Sequence, residues 1–285
     1  MTHQPIGLWL DGGPGELAHL GELPAHGVTV AAIMVETSRA AWDPTWTVEQ
    51  VGQACHLARG LDLEAVITVW PVPTRTWLDA ATPWLDQACT MGVSAIEVDL
   101  EHLWKRSHLD GSLPSLEHAA QLLLLRLRDL AGRHDLRLEV TSHTGHSETS
   151  PAALVSPHVD VLVAQAYSIR ERPGGEVISW DDRRMGPGLH QTWAAADART
   201  VPGVAEGVAL SLGLPLWGQR WPGHGPAEAL DLAYAAAVAE HPREVRFWSS
   251  LNLRKNQYAR DWLTALAPVD PDRSCPPRAA RSDRG

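Results

Sequence analysis

The chain has little phenylalanine, few cysteines and no excess of positive charge. These shortages limit the classes of protein to which it can belong. A single Phe, Phe247, stands beside 13 Trp and three Tyr. The three cysteines, Cys55, Cys89 and Cys275, include no CxxC pair, so the sequence indicates neither a zinc knuckle nor a disulfide framework. The net charge of −10 argues against a nucleic-acid partner, because nucleic-acid binding relies on neutralising phosphates.

Long hydrophobic runs and targeting patterns are also missing. No run of 18 apolar residues occurs, so we expect no membrane span. The first residues, MTHQPIGLWLDGG, lack a basic region followed by an apolar core. We therefore expect no signal peptide and a protein that is cytoplasmic as synthesised. Hydrophobic residues make up 44% and charged residues 20% of the chain, which is typical of a globular domain.

Short apolar segments rich in β-branched residues recur about every 34 residues and predict eight strands. Helix-like stretches separate most of them, and Ser115 and Pro226 mark the starts of two helices. The alternation predicts a parallel sheet, and the count favours a single closed (β/α)₈ TIM barrel over a doubly wound open sheet. The predicted strands are Ile6–Leu10, Val28–Val35, Ala65–Trp70, Ala95–Leu100, Leu136–Thr141, Val159–Ala166, Val208–Leu214 and Glu244–Ser249. The predicted helices are Thr47–Gly60, Arg75–Met91, Ser115–His134, Gly188–Arg199, Pro226–His241 and Lys255–Leu266.

The barrel is expected to occupy residues 1–267 as one domain. Residues 268–285 are rich in Pro and Arg without apolar periodicity, and they predict a flexible tail. No GxGxxG follows a strand and no GxxxxGK[ST] occurs, so nucleotide-binding versions of the α/β fold are unsupported. His143 and His146 have no carboxylate partner at a known ligand spacing, and we predict neither a metal nor a cofactor.

The segment from Ile96 to Glu101 alternates three apolar residues with three carboxylates. On a strand, Glu97, Asp99 and Glu101 share one face. Such a row of like charges costs free energy unless a cation, hydrogen bonds or raised pKa values absorb it. A solvated edge strand carries the row cheaply, but a central strand does not. We therefore interpret the row as acid/base machinery.

Polar and aromatic residues collect where the predicted strands end, which is where barrels carry their active sites. Carboxylates, an amide and indoles that converge on one mouth indicate a carbohydrate cleft, because Trp faces suit sugar rings. Each residue also has a structural alternative: Asp11 as a turn residue, Glu36 as a helix cap or exposed loop acid, and the tryptophans as rim packing or biased aromatic usage. The candidates are Asp11, Glu36, Trp70, Glu97, Asp99, Glu101, Gln165, Tyr167, Trp217 and Trp248.

These residues resemble glycoside hydrolase family 18, the chitinase-like barrels, over roughly Gly92 to Ser250. The family's fourth-strand signature DxxDxDxE falls on Ser94, Glu97, Asp99 and Glu101, of which the last two match. Three further segments resemble family motifs: Gln165-Ala166-Tyr167 the MxYD-like motif of the sixth strand, Gly213–Gly218 the GlPxYG-like motif of the seventh, and Trp248-Ser249 the tryptophan of the eighth.

The resemblance implies a glycosidase that cleaves a β-1,4 bond of an N-acetylhexosamine-containing polysaccharide, with peptidoglycan favoured and chitin second. Glu101 would be the general acid, and Asp99 and Tyr167 would hold the N-acetyl group whose oxygen attacks the anomeric carbon. Glu97 would be a buried supporter. The remaining candidates would bind substrate, with stacking platforms at Trp70, Trp217 and Trp248.

The chain also resembles the family 25 lysozyme-like barrels, which carry D-x-E on the fourth strand and an Asp near the end of the first, here Asp11. Under this likeness Asp99 or Asp11 takes a more direct part. Phage lysins use such barrels, and a lysin released through a membrane pore needs no signal peptide. Two other classes stay open: a carbohydrate-binding barrel without catalysis and a structural component of a larger assembly. The retained Glu101 favours an enzyme.

Overall fold

Parallel strands close into a barrel in the computed structural model, which describes residues 4–36, 41–100, 111–143, 158–167, 170–171, 177–178, 186–216 and 224–267. The barrel strands are β1 (Ile6–Leu10), β2 (Val30–Met34), β3 (Glu64–Val69), β4 (Ala95–Asp99), β5 (Arg137–His143), β6 (Val161–Gln165), β9 (Ala209–Pro215) and β10 (Val245–Trp248). Their order around the barrel follows the chain, and β10 pairs with β1 to close it. Between β6 and β9, β7 (Arg170–Glu171) and β8 (Val177–Ile178) form an antiparallel pair. The eight predicted barrel strands and the TIM-barrel fold are confirmed.

The helices that the sequence predicts lie between the strands. They are α1 (Val48–Gly60), α2 (Arg75–Cys89), α3 (Leu116–His134), α4 (Leu189–Arg199), α5 (Pro202–Ala205), α6 (Pro226–Ala239), α7 (Ser250–Lys255) and α8 (Gln257–Leu266), of which α5 and α7 were not predicted as separate helices. Ser115 caps α3, where its side chain accepts a hydrogen bond from the His118 amide, and Pro226 is the first residue of α6. Within the described ranges, no helix has both the length and the apolarity of a transmembrane segment.

Two stretches of the chain differ from the helix prediction. The predicted helix Lys255–Leu266 is interrupted at Asn256, whose backbone is extended and whose side-chain amide donates to the Leu216 carbonyl oxygen. After β1 the chain forms two 3₁₀ segments, Gly13–Ala18 and Leu20–His26, where no element was predicted. Pro24 lies inside the second segment, and it cannot supply the amide hydrogen that an α-helix needs there. The predicted tail, residues 268–285, lies outside the described residues.

The core has two layers separated by the barrel wall. Ile96 and Val98 belong to the large outer cluster between strands and helices, whereas Ala95 belongs to the interior cluster. The side chains of β4 therefore alternate as predicted, and Glu97 and Asp99 share the inward face with Ala95. The other members of the interior cluster are Trp9, Val30, Ala32, Met34, Val66, Val161 and Val163.

Tryptophan packs much of the core where other proteins use phenylalanine. Trp46 and Trp77 are almost fully buried. Trp42 meets the rings of Trp77 and Trp84 edge-on, with centroids 5.5 and 5.4 Å away. Edge-to-face pairs of this kind stabilise a core beyond the area that they bury. The high Trp content is thus explained in part by packing in the core.

Candidate active site at the C-terminal end of the barrel

The carboxylate row lies on a central strand of a closed barrel, where no sheet edge is available to solvate it. Glu97 is 0% exposed and Asp99 is 2% exposed, and both lie on the inward face of β4. Glu101, the predicted general acid, lies outside the described residues. The structure therefore shows how the barrel holds the first two acids of the row.

Glu97 is held by protein groups on both carboxylate oxygens. Its Oε2 accepts hydrogen bonds from Trp9 Nε1 at 2.8 Å and from Thr68 Oγ1 at 2.5 Å. Its Oε1 forms an ion pair with Arg246 Nη1 at 2.8 Å. Burial raises the pKa of Glu97, and the Arg246 charge opposes this shift. Both carboxylate oxygens of Glu97 are thus engaged by protein groups, as expected for a buried supporter.

Arg246 is the centre of a buried ion cluster at the inner end of the site. Besides Glu97, its guanidinium contacts Glu244 through Nε at 2.5 Å and Glu139 through Nη2 at 2.9 Å. Burial lowers the pKa of Arg246, but the three carboxylates outweigh this and raise it well above its ordinary value. Arg246 is therefore permanently charged, and it compensates acids that would otherwise be buried without a counter-ion.

Trp9 connects this cluster to Trp248. The Arg246 guanidinium carbon lies 5.4 Å from the centroid of the Trp9 ring, within the range of a cation–π contact. Trp9 also meets Trp248, with ring centroids 5.8 Å apart. Gly213 faces the indole, and a Cβ there would lie 3.0 Å from Trp9 Cη2. Trp248 is only partly buried, and the Trp9 ring packs against it. A stacking platform requires this combination of partial exposure and support.

Asp99 is joined to the end of β6. Gln165, which is 2% exposed, donates a hydrogen bond from Nε2 to Asp99 Oδ1 at 3.3 Å. Tyr167 follows β6 and is partly buried. The carbonyl oxygen of Ala166 accepts a hydrogen bond from Gln191 Nε2 at 2.9 Å, which fixes the backbone just before Tyr167. The structure thus brings Asp99 and Gln165 together, with Tyr167 on the same barrel mouth.

Asp11 caps the N-terminus of α7. Its carboxylate accepts hydrogen bonds from Ser249 Oγ at 2.7 Å, Ser250 Oγ at 3.1 Å and the Leu251 amide at 3.1 Å. Helix N-termini favour such an acidic acceptor. Both oxygens of Asp11 therefore accept hydrogen bonds from the segment that follows Trp248, and the more direct part of Asp11 under the family 25 likeness stays a prediction.

Glu36 is buried and does not line an open surface. It is 0% exposed, and its Oε1 accepts a hydrogen bond from Trp77 Nε1 at 3.0 Å. Burial raises the pKa of Glu36 to about 8. The alternative of an exposed loop acid is wrong, because the side chain is fully buried and hydrogen-bonded to Trp77 of α2. Trp70 is partly buried and packs against both core layers, while Trp217 lies outside the described residues.

The sequence matches no protein-family model and no curated protein. Solved structures do match. A class V chitinase from Pseudomonas fluorescens is 12% identical with a TM-score of 0.63, over 92% of this chain and 99% of that one. The Bacillus cereus spore cortex-lytic enzyme is 11% identical with a TM-score of 0.57, over 93% and 74%. A xylanase and α-amylase inhibitor protein in complex with trehalose is 11% identical with a TM-score of 0.59, over 91% and 98%.

The fold is that of the chitinase-like barrels. Other matched structures with this glycosidase fold are a family 18 chitinase, two mannanases and an endoglucanase. The chitinase-like resemblance of the sequence is therefore confirmed at the level of the fold. At identities near one residue in ten, the comparison shows the shared barrel and leaves the chemistry to be argued from the site.

Four contributors to the site were missed by the sequence reasoning: Trp9, Thr68, Gln191 and Arg246. Two of them carried a signal. Arg246 is a charged residue inside an apolar strand, two positions before Trp248 and thus on the same face. Trp9 is likewise two positions before Asp11. Within the described part of the chain, no group of three or more His, Cys, Asp or Glu residues is arranged to hold a metal ion.

Proposed function

We propose that the protein is a glycoside hydrolase that cleaves a β-1,4 bond in an N-acetylhexosamine-containing cell-wall polysaccharide, with peptidoglycan favoured over chitin. The observation that carries the proposal is Asp99, an inward-facing acid at the end of β4 that is oriented by Gln165 and supported from below by Glu97. The glycosidase fold of the matched structures supports it, and the spore cortex-lytic enzyme among them favours peptidoglycan.

In the proposed mechanism, Glu101 donates a proton to the glycosidic oxygen as the bond to the anomeric carbon breaks. The alternation that the sequence predicts puts Glu101 on the same side as Asp99, so the two acids would face one sugar. The carbonyl oxygen of the substrate's own acetamido group attacks the anomeric carbon, and Asp99 and Tyr167 hold that group in place. Water then attacks the same carbon, and its proton returns to Glu101.

The partly buried Trp248 would form the floor of the sugar subsite. Its packing against Trp9 fixes the ring before substrate arrives, which lowers the entropic cost of binding. Trp70 and Trp217 would supply further stacking surfaces. Glu36 and Asp11 would act indirectly, because their carboxylates already bind protein groups.

The test is loss of turbidity of purified bacterial walls, followed by analysis of the new reducing ends. We expect wild type to release reducing ends and Glu101→Gln to lose at least about 100-fold in rate, since a general acid contributes roughly that much. Glu22→Gln, which changes an exposed carboxyl group that is not among the candidate site residues, is the matched control and should keep the wild-type rate. Equal rates for wild type and Glu101→Gln would contradict the catalytic assignment.

A carbohydrate-binding barrel without catalysis is the second candidate. It is favoured by the matched inhibitor protein, which has this fold and was solved with trehalose. The two candidates differ in one measurement: a binding protein would bind wall fragments in calorimetry and release no reducing ends.

A further inference from the structure

A cavity of about 700 Å³ opens at the N-terminal ends of the strands, at the opposite end of the barrel from the candidate active site. Its lining includes the starts of four neighbouring strands: Pro5 precedes β1, Val30 begins β2, Glu64 begins β3 and Glu244 precedes β10. β1 and β10 are the first and last strands of the barrel, and their pairing closes it. The cavity therefore lies at this closing seam, the parallel pair of β10 and β1.

The lining of the cavity combines apolar side chains with carboxyl groups. Prolines, valines and a leucine form the apolar part. The charged part consists of three carboxyl groups, of Asp62, Glu64 and Glu244, and one guanidinium group, of Arg243. Arg243 Nη2 lies 3.9 Å from Glu64 Oε2, and Asp62 is exposed. The cavity therefore suits a ligand that has both apolar and cationic groups.

Arginines inside the barrel wall compensate part of this acidity. Arg137 binds Glu64, and Arg246 binds Glu244 at 2.5 Å. Both arginines are shared with Glu139, which lies 3.1 Å from one and 2.9 Å from the other. Arg246 also binds Glu97. Carboxyl groups therefore stay in excess, because five of them (Asp62, Glu64, Glu97, Glu139 and Glu244) accompany three guanidinium groups (Arg137, Arg243 and Arg246).

The last described residue, Ala267, lies next to this cavity. Its Cα is 3.1 Å from the position that a Cβ on Gly27 would take, and Gly27 lines the cavity. The Ala267 amide donates to the Leu263 carbonyl oxygen at 3.1 Å, which fixes the end of α8. The same helix is joined to the segment before Gly27, because Thr264 Oγ1 lies 2.8 Å from His26 Nδ1. The chain therefore continues into residue 268 from the rim of the cavity.

Residues 268–285 have the composition that the lining suits. They contain four prolines and four arginines, and only one aspartate follows Arg273. Proline restricts the backbone before binding, so its ordering costs less entropy. Arginine pairs with carboxylates through two parallel N–H groups. In an extended polyproline-like conformation, these 18 residues reach about 55 Å, which is ample to enter a cavity at their own start.

We propose that residues 268–285 dock in this cavity and cover the N-terminal end of the closing seam. The prolines and Val269 would contact the apolar lining, and the arginines would pair with the carboxyl groups. A segment tethered at the rim has an effective concentration in the millimolar range, so it occupies the cavity ahead of a weakly binding external partner. The tail would then be bound rather than flexible, and this inference is independent of the proposed glycosidase activity.

The test measures distances between nitroxide labels on the full-length chain by pulsed electron paramagnetic resonance. Cys275 carries one label. Cys55 and Cys89 should stay unlabelled, because they are buried and burial raises their pKa values to about 11 and about 12. The second label is placed at Gly60→Cys, an exposed position at the end of α1 where an added Cβ meets nothing within 4 Å. Gly60 immediately precedes Leu61, which lines the cavity.

A matched pair uses Gly132→Cys, which is also exposed and uncrowded. It lies in α3, between β4 and β5 and across the barrel from the closing seam. We expect narrow distance distributions for both pairs, with the shorter distance to Gly60→Cys. A free tail would instead broaden both, because Cys275 is eight residues beyond Ala267 and would spread over about 16 Å.

Charge variants of the tail test the chemistry of docking without changing the described barrel residues. Replacing the four arginines by glutamine should broaden the Gly60→Cys distribution at least about twofold, because it removes the partners of the carboxyl groups. Replacing the three aspartates by asparagine is the matched control, and it should keep the distribution narrow. The residues replaced are Arg273, Arg278, Arg281 and Arg284 in the first variant and Asp270, Asp272 and Asp283 in the second.

Three outcomes would overturn the proposal. Broad distributions in the protein with its natural tail would show that the tail is free and leave the cavity to a separate partner. A narrow distribution that persists in the arginine variant would contradict pairing with the carboxyl groups. A short distance that disappears when labelled protein is diluted with unlabelled protein would show that the cavity binds the tail of a second copy.

Discussion

Replacing Glu36 by glutamine should stabilise the protein, and the gain should grow with pH. The carboxyl group is 0% exposed, and burial raises its pKa from 4.5 to about 8, with the hydrogen bond from Trp77 opposing the shift. Each pKa unit corresponds to about 1.4 kcal/mol. Ionising Glu36 in the folded protein therefore costs up to about 5 kcal/mol more than ionising it in the unfolded chain. Glutamine is nearly isosteric and carries no charge, so it mimics the protonated state.

The direction of this pH dependence follows from the number of protons that each state binds. Between pH 4.5 and about 8 the folded state keeps the proton on Glu36 and the unfolded state has lost it, so the free energy of unfolding falls as pH rises. The wild-type protein should lose up to about 1.4 kcal/mol per pH unit relative to Glu36→Gln over this window. Below pH 4.5 both states are protonated, and above about pH 8 both are ionised, so the two curves should then run parallel.

The assay is urea unfolding of both proteins at unit steps from pH 4 to pH 9. Trp77→Phe sharpens it, because this variant keeps a ring and removes the N–H that stabilises the ionised carboxylate. Its destabilisation should be larger at pH 9 than at pH 5. A difference between wild type and Glu36→Gln that is the same at every pH would refute the reasoning, since it would show that Glu36 titrates alike in both states.

Two further predictions concern the interior of the barrel. Arg246→Met should destabilise the protein by about 3–5 kcal/mol, because it leaves buried carboxylates without their counter-ion. Urea unfolding should show that this loss of stability is smaller at acidic pH. An unchanged free energy of unfolding would contradict the role of the ion cluster. Gly213→Ala should cost about 1–3 kcal/mol in unfolding and weaken the binding of wall fragments, since the new Cβ lies 3.0 Å from Trp9. Gly132→Ala, where the added Cβ has no side chain or other segment of the protein within 4 Å, is its control and should not weaken binding.

The fold was predictable because it depends on local patterns repeated along the chain. Each strand has its own apolar run, and Ser115 and Pro226 mark helix starts by chemistry that acts within one turn. The break at Asn256 was not predictable, because it follows from a hydrogen bond to Leu216, a residue 40 positions away. Helix boundaries that depend on tertiary partners are invisible to local reasoning.

For the candidate site, the sequence predicted which residues lie at the ends of the strands, but not the contacts between them. The alternation of apolar and acidic residues predicted that Glu97 and Asp99 share one face of the strand. It did not predict which residues would bind them. Their partners come from β1, β3, β6 and β10, and closure of the barrel is what brings those strands together. Asp11 is the clearest case, since its capping partners lie about 240 residues further along the chain. A turn residue and a long-range helix cap look identical in sequence.

The carboxylate row, in the part that the structure describes, is not a row of equivalent charges. Glu97 is fully buried, and it is compensated by Arg246 and two neutral donors. Asp99, one layer closer to the mouth, receives a neutral amide from Gln165. A neutral donor orients a carboxylate without cancelling its charge, whereas a guanidinium cancels it. The described contacts thus pair Arg246 with the supporting Glu97, and they join Asp99 to the neutral side-chain amide of Gln165.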